Sequence, residues 1–233
     1  MKSEKLGLIL SHIHVKDNDI YKFDILNYTI EYFNNLYEDL FIVVSGHGHE
    51  MPYYIQNKLD GLYWEETIDE NEIGRGHPKF CIEAYKILIK NGIEKSLKVR
   101  SSDIITNKQL FYKLIDSENL ILSEQTCLQR RMIGDLLMFG NTKTMYELWS
   151  NISWDYSKSG LYNLFDSIEN LANDMNQSVE KYLKSNCFFV NPKEIGWHSI
   201  ENNWNVRNKT PMHKFSDANL WGMQFTNAYY GGF

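Results

Sequence analysis

No excess of basic charge runs through this sequence. The 24 lysines and arginines stand against 30 aspartates and glutamates, leaving a net charge of −6, which argues against a polyanion such as nucleic acid as the main partner. Cysteine is scarce: Cys81, Cys127 and Cys187 are odd in number and show no paired spacing. They suggest neither a disulfide framework nor a zinc motif, and a reducing compartment fits best. Long apolar runs are missing too. The first, Leu6 to Leu10, is too short and too soon interrupted for a signal peptide or a crossing helix, so membrane contact is expected to be peripheral at most. No internal repeat, low-complexity tract or linker divides the chain. What remains, 43% hydrophobic and 23% charged residues over 233 positions, is an ordinary globular composition with room for a sizeable core in one domain.

The apolar pattern alternates between two periods. Leu6 to Leu10 reads as a strand buried on both faces, and from Asp24 to Tyr37 the residues Leu26, Ile30, Phe33 and Tyr37 recur at helical spacing. Phe41 to Gly46 is a second β-rich run and Gly61 to Trp64 a short third. After the loop Gly74 to Pro78, a helix from about Lys79 to Asn91 carries Cys81, Ala84, Tyr85 and Leu88 on one face, with Gly92 as its stop. Arg130 to Gly140 is a strand candidate with Asp135 at its entrance. Asn141 can cap the helix that follows, and Leu161 to Ala172 and Val179 to Leu183 begin further helices. From Cys187 onward there is no clear period. Strands alternating with helices across short links predict an α/β fold with an open, mostly parallel sheet.

The chemistry is expected at Lys98-Val99-Arg100-Ser101-Ser102-Asp103, a strand that surfaces carrying a carboxylate. The carboxyl edge of a parallel sheet opens into a crevice that loops can line. An aspartate there can hold a divalent cation, and the cation a diphosphate. A strand followed by a solvated turn would look the same in isolation.

Three segments resemble, in order, those of the WavE-type polysaccharide synthesis proteins. Leu97 to Asp103 is similar to their K-x-R-S-D strand, Asp135 to Gly140 to their D-x-x-x-F-G segment, and Val179-Glu180-Lys181-Tyr182-Leu183 to their P-E-Q-Y-L. Here Ser101 stands where an Asp-x-Asp motif has its first aspartate, and Val179 replaces the proline. The resemblance implies a single GT-A-like glycosyltransferase domain, a mostly parallel central sheet flanked by helices, working in lipopolysaccharide or other surface-glycan assembly. Residues 1–105 would bind the nucleotide-diphosphate sugar, residues 106–186 would form the acceptor side, and residues 187–233 would close over the site. The implied location is the cytoplasm, extending to the inner face of a membrane.

The same resemblance implies roles. A nucleoside diphosphate leaves with developing negative charge, which Mn2+ or Mg2+ on Asp103, or cationic side chains, can offset. Arg75, Lys98, Arg100, Ser102, Asp103 and Arg131 are the donor-binding candidates, with Arg130 beside them. An inverting transfer needs a base for the acceptor hydroxyl; Glu180 is the first candidate and Asp135 the second. The acceptor would be a glycan or a lipid-linked sugar. Tyr63, Trp64 and the tail residues Trp197, Trp204 and Trp221 could stack on a base or sugar, although core packing is the commoner use of such rings.

Two other readings stand beside this one. His12 and His14 follow the first strand and His47 and His49 the second, and paired histidines at strand ends ligate zinc or manganese in several metal-dependent hydrolases. In the transferase reading these histidines line the nucleotide crevice. The missing Asp of the Asp-x-Asp motif also permits a non-catalytic nucleotide-sugar-binding relative.

Overall fold

Continuous apolar runs become the middle of a sheet. A computed structural model describes residues 5–16, 19–66, 76–118, 120–127, 132–151, 160–190 and 197–199. In it β1 (Leu6–Val15), β2 (Leu40–Gly48), β3 (Gly61–Glu65) and β4 (Lys95–Arg100) lie parallel in the order β3-β2-β1-β4. The chain returns between them through α1 (Tyr21–Leu36), α2 (Tyr53–Gln56) and α3 (Gly76–Lys90). After β4 come β5 (Asp103–Ile105), α4 (Lys108–Ile115), β6 (Leu120–Cys127), β7 (Met132–Asn141) and α5 (Thr142–Ser150). The described chain ends with α6 (Gly160–Asp174), α7 (Val179–Asn186), β8 (Cys187–Val190) and β9 (Trp197–Ser199).

β7 pairs antiparallel with both β4 and β6, and β6 pairs parallel with β8. The result is a seven-stranded sheet, β3-β2-β1-β4-β7-β6-β8, in which β7 alone runs against the others. The mostly parallel α/β architecture expected from the sequence is therefore present. β5 and β9 form a separate antiparallel pair, with Asp103 opposite Ser199 and Ile105 opposite Trp197.

Strand alternation sorts the core into two layers. Leu8 and Leu10, Ile42 and Val44, and Leu97 and Val99 face α1, α2 and α4, meeting Phe33, Ile55 and Phe111. Ile9, Val43 and Met138 face α3, α5, α6 and α7, meeting Tyr85, Leu148, Ile168 and Leu183. Burial of these side chains, at ~25 cal/mol per Å² of apolar surface, is the main force holding the layers together.

Local chemistry fixes the ends. The Asn141 side chain accepts hydrogen bonds from the amides of Lys143 (3.0 Å) and Thr144 (3.2 Å), capping α5 as its position suggested. Gly92 takes φ +71° and ends α3, the left-handed conformation a helix stop favours. The structure departs from the sequence reading in extent and in number of elements. β1 runs to Val15 rather than Leu10, and α2, α4, β6 and β8 carry too short or too broken a pattern to be read in advance. Among the described residues no helix is long and apolar enough to cross a membrane.

Candidate functional site

From β1 the chain moves outward to β2 and β3, then jumps back to lay β4 on the other side of β1. The carboxyl ends of β1 and β4 therefore flank a topological switch point, the place where open α/β sheets generally bind their ligands. Ser11 pairs with Arg100 at that edge, and the Ser101 amide donates to the Ser11 carbonyl at 2.9 Å. The turn Ser101-Ser102 then delivers Asp103, which is only 1% exposed, with the Ser102 hydroxyl donating to its Oδ1 at 3.5 Å. Tyr32 of α1 donates from its hydroxyl to the Ile105 carbonyl at 2.7 Å and so anchors β5 behind the carboxylate.

A bulge in β1 shapes the other wall. Leu10 pairs with Val44 but Ile13 pairs with Gly46, so β1 holds one extra residue over this span. The extra residue reverses the alternation. Ile13 and Val15 take over the α1 face from Leu8 and Leu10, and His14 turns to the α3 face beside His47. Their rings stack with centroids 4.2 Å apart, and His47 stacks in turn on Phe80 of α3 at 5.3 Å, nearly parallel at 11°. Next to this column the Tyr63 hydroxyl donates to Glu65 at 2.5 Å, and Lys79 of α3 pairs with the same carboxylate. On this face the strands change from apolar to polar near the carboxyl edge: Val43 gives way to Ser45 and His47, and Ile9 to Ser11.

Burial of its ring, and then the neighbouring His14, pushes His47 down to about 4, against the pull of Glu65 in the other direction. His14 is also lowered, first by burial and then by Lys16 and Lys22, with Asp19 opposing. An unfolded chain takes up a proton at His47 near the ordinary 6.5, whereas the folded chain resists until about 4. Stability is thus fully present above 6.5 and is lost as pH falls from 6.5 towards 4. We expect a loss of about 1–2 kcal/mol at pH 5 from this ring. Thermal melts at pH 7 and pH 5 check it: the His47→Phe variant should lose clearly less on acidification than the natural chain, and an equal loss would place the effect elsewhere.

The sequence-predicted residues are not all brought together. Arg100, Ser102 and Asp103 lie at the switch point. Lys98 is fully buried on the α3–α5 face, its Nζ 5.3 Å from the centre of the Trp149 ring. Asp135, whose backbone is described, sits two residues past the Val99–Leu137 pair, so β7 carries it to the carboxyl end of β4. Glu180 heads α7, is exposed, and pairs with Lys184 at 2.7 Å; that hydrogen bond holds its carboxyl below the usual range. Arg75, Arg130 and Arg131 lie outside the described residues, as do Trp204 and Trp221.

The backbone of residues 197–199 lies against Asp103, which puts part of the tail beside the switch point. His12 lies within the bulge, and His49 is exposed beyond the end of β2. Among the described residues no three His, Cys, Asp or Glu side chains gather as a metal cluster. His14 and His47 direct ring faces at one another, whereas metal-binding lone pairs lie in the ring planes. The β1 bulge and the stack it creates were beyond the sequence reading, because a bulge is a matter of register between two strands.

No protein-family model matches the chain, and no curated protein matches it. Among solved structures it is similar to a glycosyltransferase involved in the glycosylation of the major capsid of PBCV-1, at 11% identity, covering 81% of this chain and 82% of that one, with a TM-score of 0.46. It is also similar to a Desulfovibrio desulfuricans G20 protein assigned as a nucleotide-diphospho-sugar transferase, at 12% identity over 81% and 80% of the two chains and a TM-score of 0.44. A third is the glycosyltransferase GlyE of Streptococcus pneumoniae TIGR4, at 14% identity over 91% of this chain and 50% of that one, with a TM-score of 0.43. These likenesses are distant.

Proposed function

We propose that the chain is a nucleotide-sugar glycosyltransferase of GT-A type, moving a sugar from a nucleoside-diphosphate donor to a glycan or lipid-linked acceptor. The observation that carries this reading is the buried Asp103, which a two-residue turn sets beyond the carboxyl end of β4 at the switch point between β1 and β4. A crevice at such a point accepts a nucleotide, and Arg100, emerging at the edge, meets the diphosphate and offsets its charge as it leaves. The order of the three family-like motifs supports the same reading, since β4 and β7, which carry the first two, are neighbours.

Asp103 suits a divalent cation of the Mg2+ or Mn2+ kind. Such ions are held through one or two carboxylates and fill their remaining positions with phosphate oxygens and water. When bound, the cation would supply further positive charge to the leaving diphosphate. With a single described carboxylate there, metal alone should bind weakly. Manganese and nucleoside diphosphate together are expected to raise the melting temperature more than the sum of their separate effects. Simple additivity in the melts would count against Asp103 as a metal ligand.

The acceptor hydroxyl must lose a proton, and Asp135 is the better placed of the two candidate bases, because β7 brings its backbone to the same sheet edge. Glu180 is exposed and tied to Lys184. Asp135→Asn should lower kcat by about 100-fold or more with donor affinity kept, and Glu180→Gln should change it by less than about threefold. Rates measured at saturating donor decide between them. The reverse ranking would return the role to Glu180.

A further inference from the structure

Three rings form a row that crosses the sheet. Phe80 and His14 lie nearly parallel to His47, at 11° and 22°, so they cover its two opposite faces and the row runs Phe80, His47, His14. The 4.2 Å between the two histidine rings is close to the ~4.8 Å between neighbouring strands, so the row points from β2 across β1. The face of His14 that turns away from His47 therefore looks towards the β4 side of β1. β4 does not continue there. Its pairing with β1 ends at Ser11 and Arg100, and the chain then turns through Ser101 and Ser102. The row thus ends at the switch point. Among the described residues no further ring lies on His14, which is half-buried, and no side chain is hydrogen-bonded to its ring. Burial, then Lys16 and Lys22, lower its proton affinity against the pull of Asp19, so the imidazole is uncharged at neutral pH. The edge of the sheet offers a flat, neutral ring backed by two more.

We infer that His14 is the stacking seat for the nucleobase of the donor: the base lies on the free face of its ring as the fourth member of the row, on the side of β1 from which β4 has turned away. This rests on the transferase reading above. A base fits the seat better than the donor's sugar, because a row of parallel rings continues most favourably with another flat π-system. The seat is also on the β1 side of the switch point, which leaves the diphosphate to meet Arg100 and Asp103 on the β4 side. The bulge in β1 makes the seat, since without its extra residue His14 would face α1.

The test is calorimetric titration of the natural chain, His14→Ala, His14→Leu and His14→Phe with UDP, GDP, CDP and dTDP, and with inorganic pyrophosphate. His14→Ala should bind the preferred nucleoside diphosphate about tenfold more weakly, the loss of one base stack, and pyrophosphate as before. His14→Leu fills similar space without a flat face and should lose about as much, so the comparison survives if His14→Ala does not fold. His14→Phe should stay within about threefold of the natural affinity. Combined with Arg100→Ala the losses should add, because base and diphosphate are separate contacts. Unchanged nucleoside diphosphate affinity in His14→Leu, equal weakening of pyrophosphate, or a His14→Phe variant as weak as His14→Leu would each overturn the stacking seat and leave the transferase reading standing. A natural chain that binds no nucleoside diphosphate overturns both.

Discussion

Asp103→Asn is expected to reduce sugar transfer by two to three orders of magnitude, roughly the cost of removing one preorganised charge from a reacting centre, while the protein still folds. The substitution keeps the shape of the side chain and removes its charge. Asp103 is 1% exposed, carries the hydrogen bond from Ser102, and sits on a strand held by the Tyr32 hydroxyl and by pairing with β9. Those contacts hold β5 whether or not the charge is present. The loss should therefore appear in kcat and in the response to manganese, with little change in the thermal melt. Initial rates at saturating donor with and without manganese, alongside melts, check this. Near-natural rates would remove Asp103 from the reaction.

Gly48→Ala should produce the largest loss of stability among single-atom additions near the site. Gly48 sits at φ +119°, and a Cβ there would come within 2.1 Å of the Val15 carbonyl oxygen. That conformation disfavours any side chain, and the contact is with backbone, which cannot rotate away. Relief requires β1 and β2 to part where Val15 pairs with Gly48, one residue beyond the His14–His47 pair. We expect a cost of about 3 kcal/mol or more. For a domain of this size that is a fall of roughly 6–12 °C in melting temperature. Differential scanning calorimetry reads it directly, and a change under about 2 °C would show that the edge of the sheet yields easily.

The parts of this architecture that follow from period alone were legible in the sequence. Leu6 to Leu10, Phe41 to Gly46 and Leu97 to Arg100 are apolar runs or alternations that suit central strands, and Asn141 and Gly92 are chemical markers of a helix start and stop. The Arg100-to-Asp103 turn was legible for the same reason, as a strand that ends in polar residues. What escaped depends on pairing between distant segments. The β1 bulge that turns His14 onto His47 needs the register with β2. The placement of Asp135 needs the register of β7 against β4. Residues 197–199 showed no period, because a three-residue strand is too short to have one; only its partner, β5, defines it. Lys98 shows the limit of reading by alternation. A lysine between Leu97 and Val99 looks like the solvent side of a strand, yet α5 covers that face and makes it core.

Whether the chain takes a nucleotide-sugar donor is tested by a thermal-shift series with UDP-, GDP-, CMP- and dTDP-sugars, each with and without manganese or magnesium. A ligand held at 100 times its dissociation constant adds about 2.7 kcal/mol to stability, which corresponds to a rise of roughly 5–10 °C in a domain of this length. One nucleotide class should give such a rise, larger with metal and reduced in Asp103→Asn and Arg100→Ala. No rise with any nucleotide sugar, together with stabilisation by zinc alone, would contradict it and turn attention to the histidines at the ends of β1 and β2.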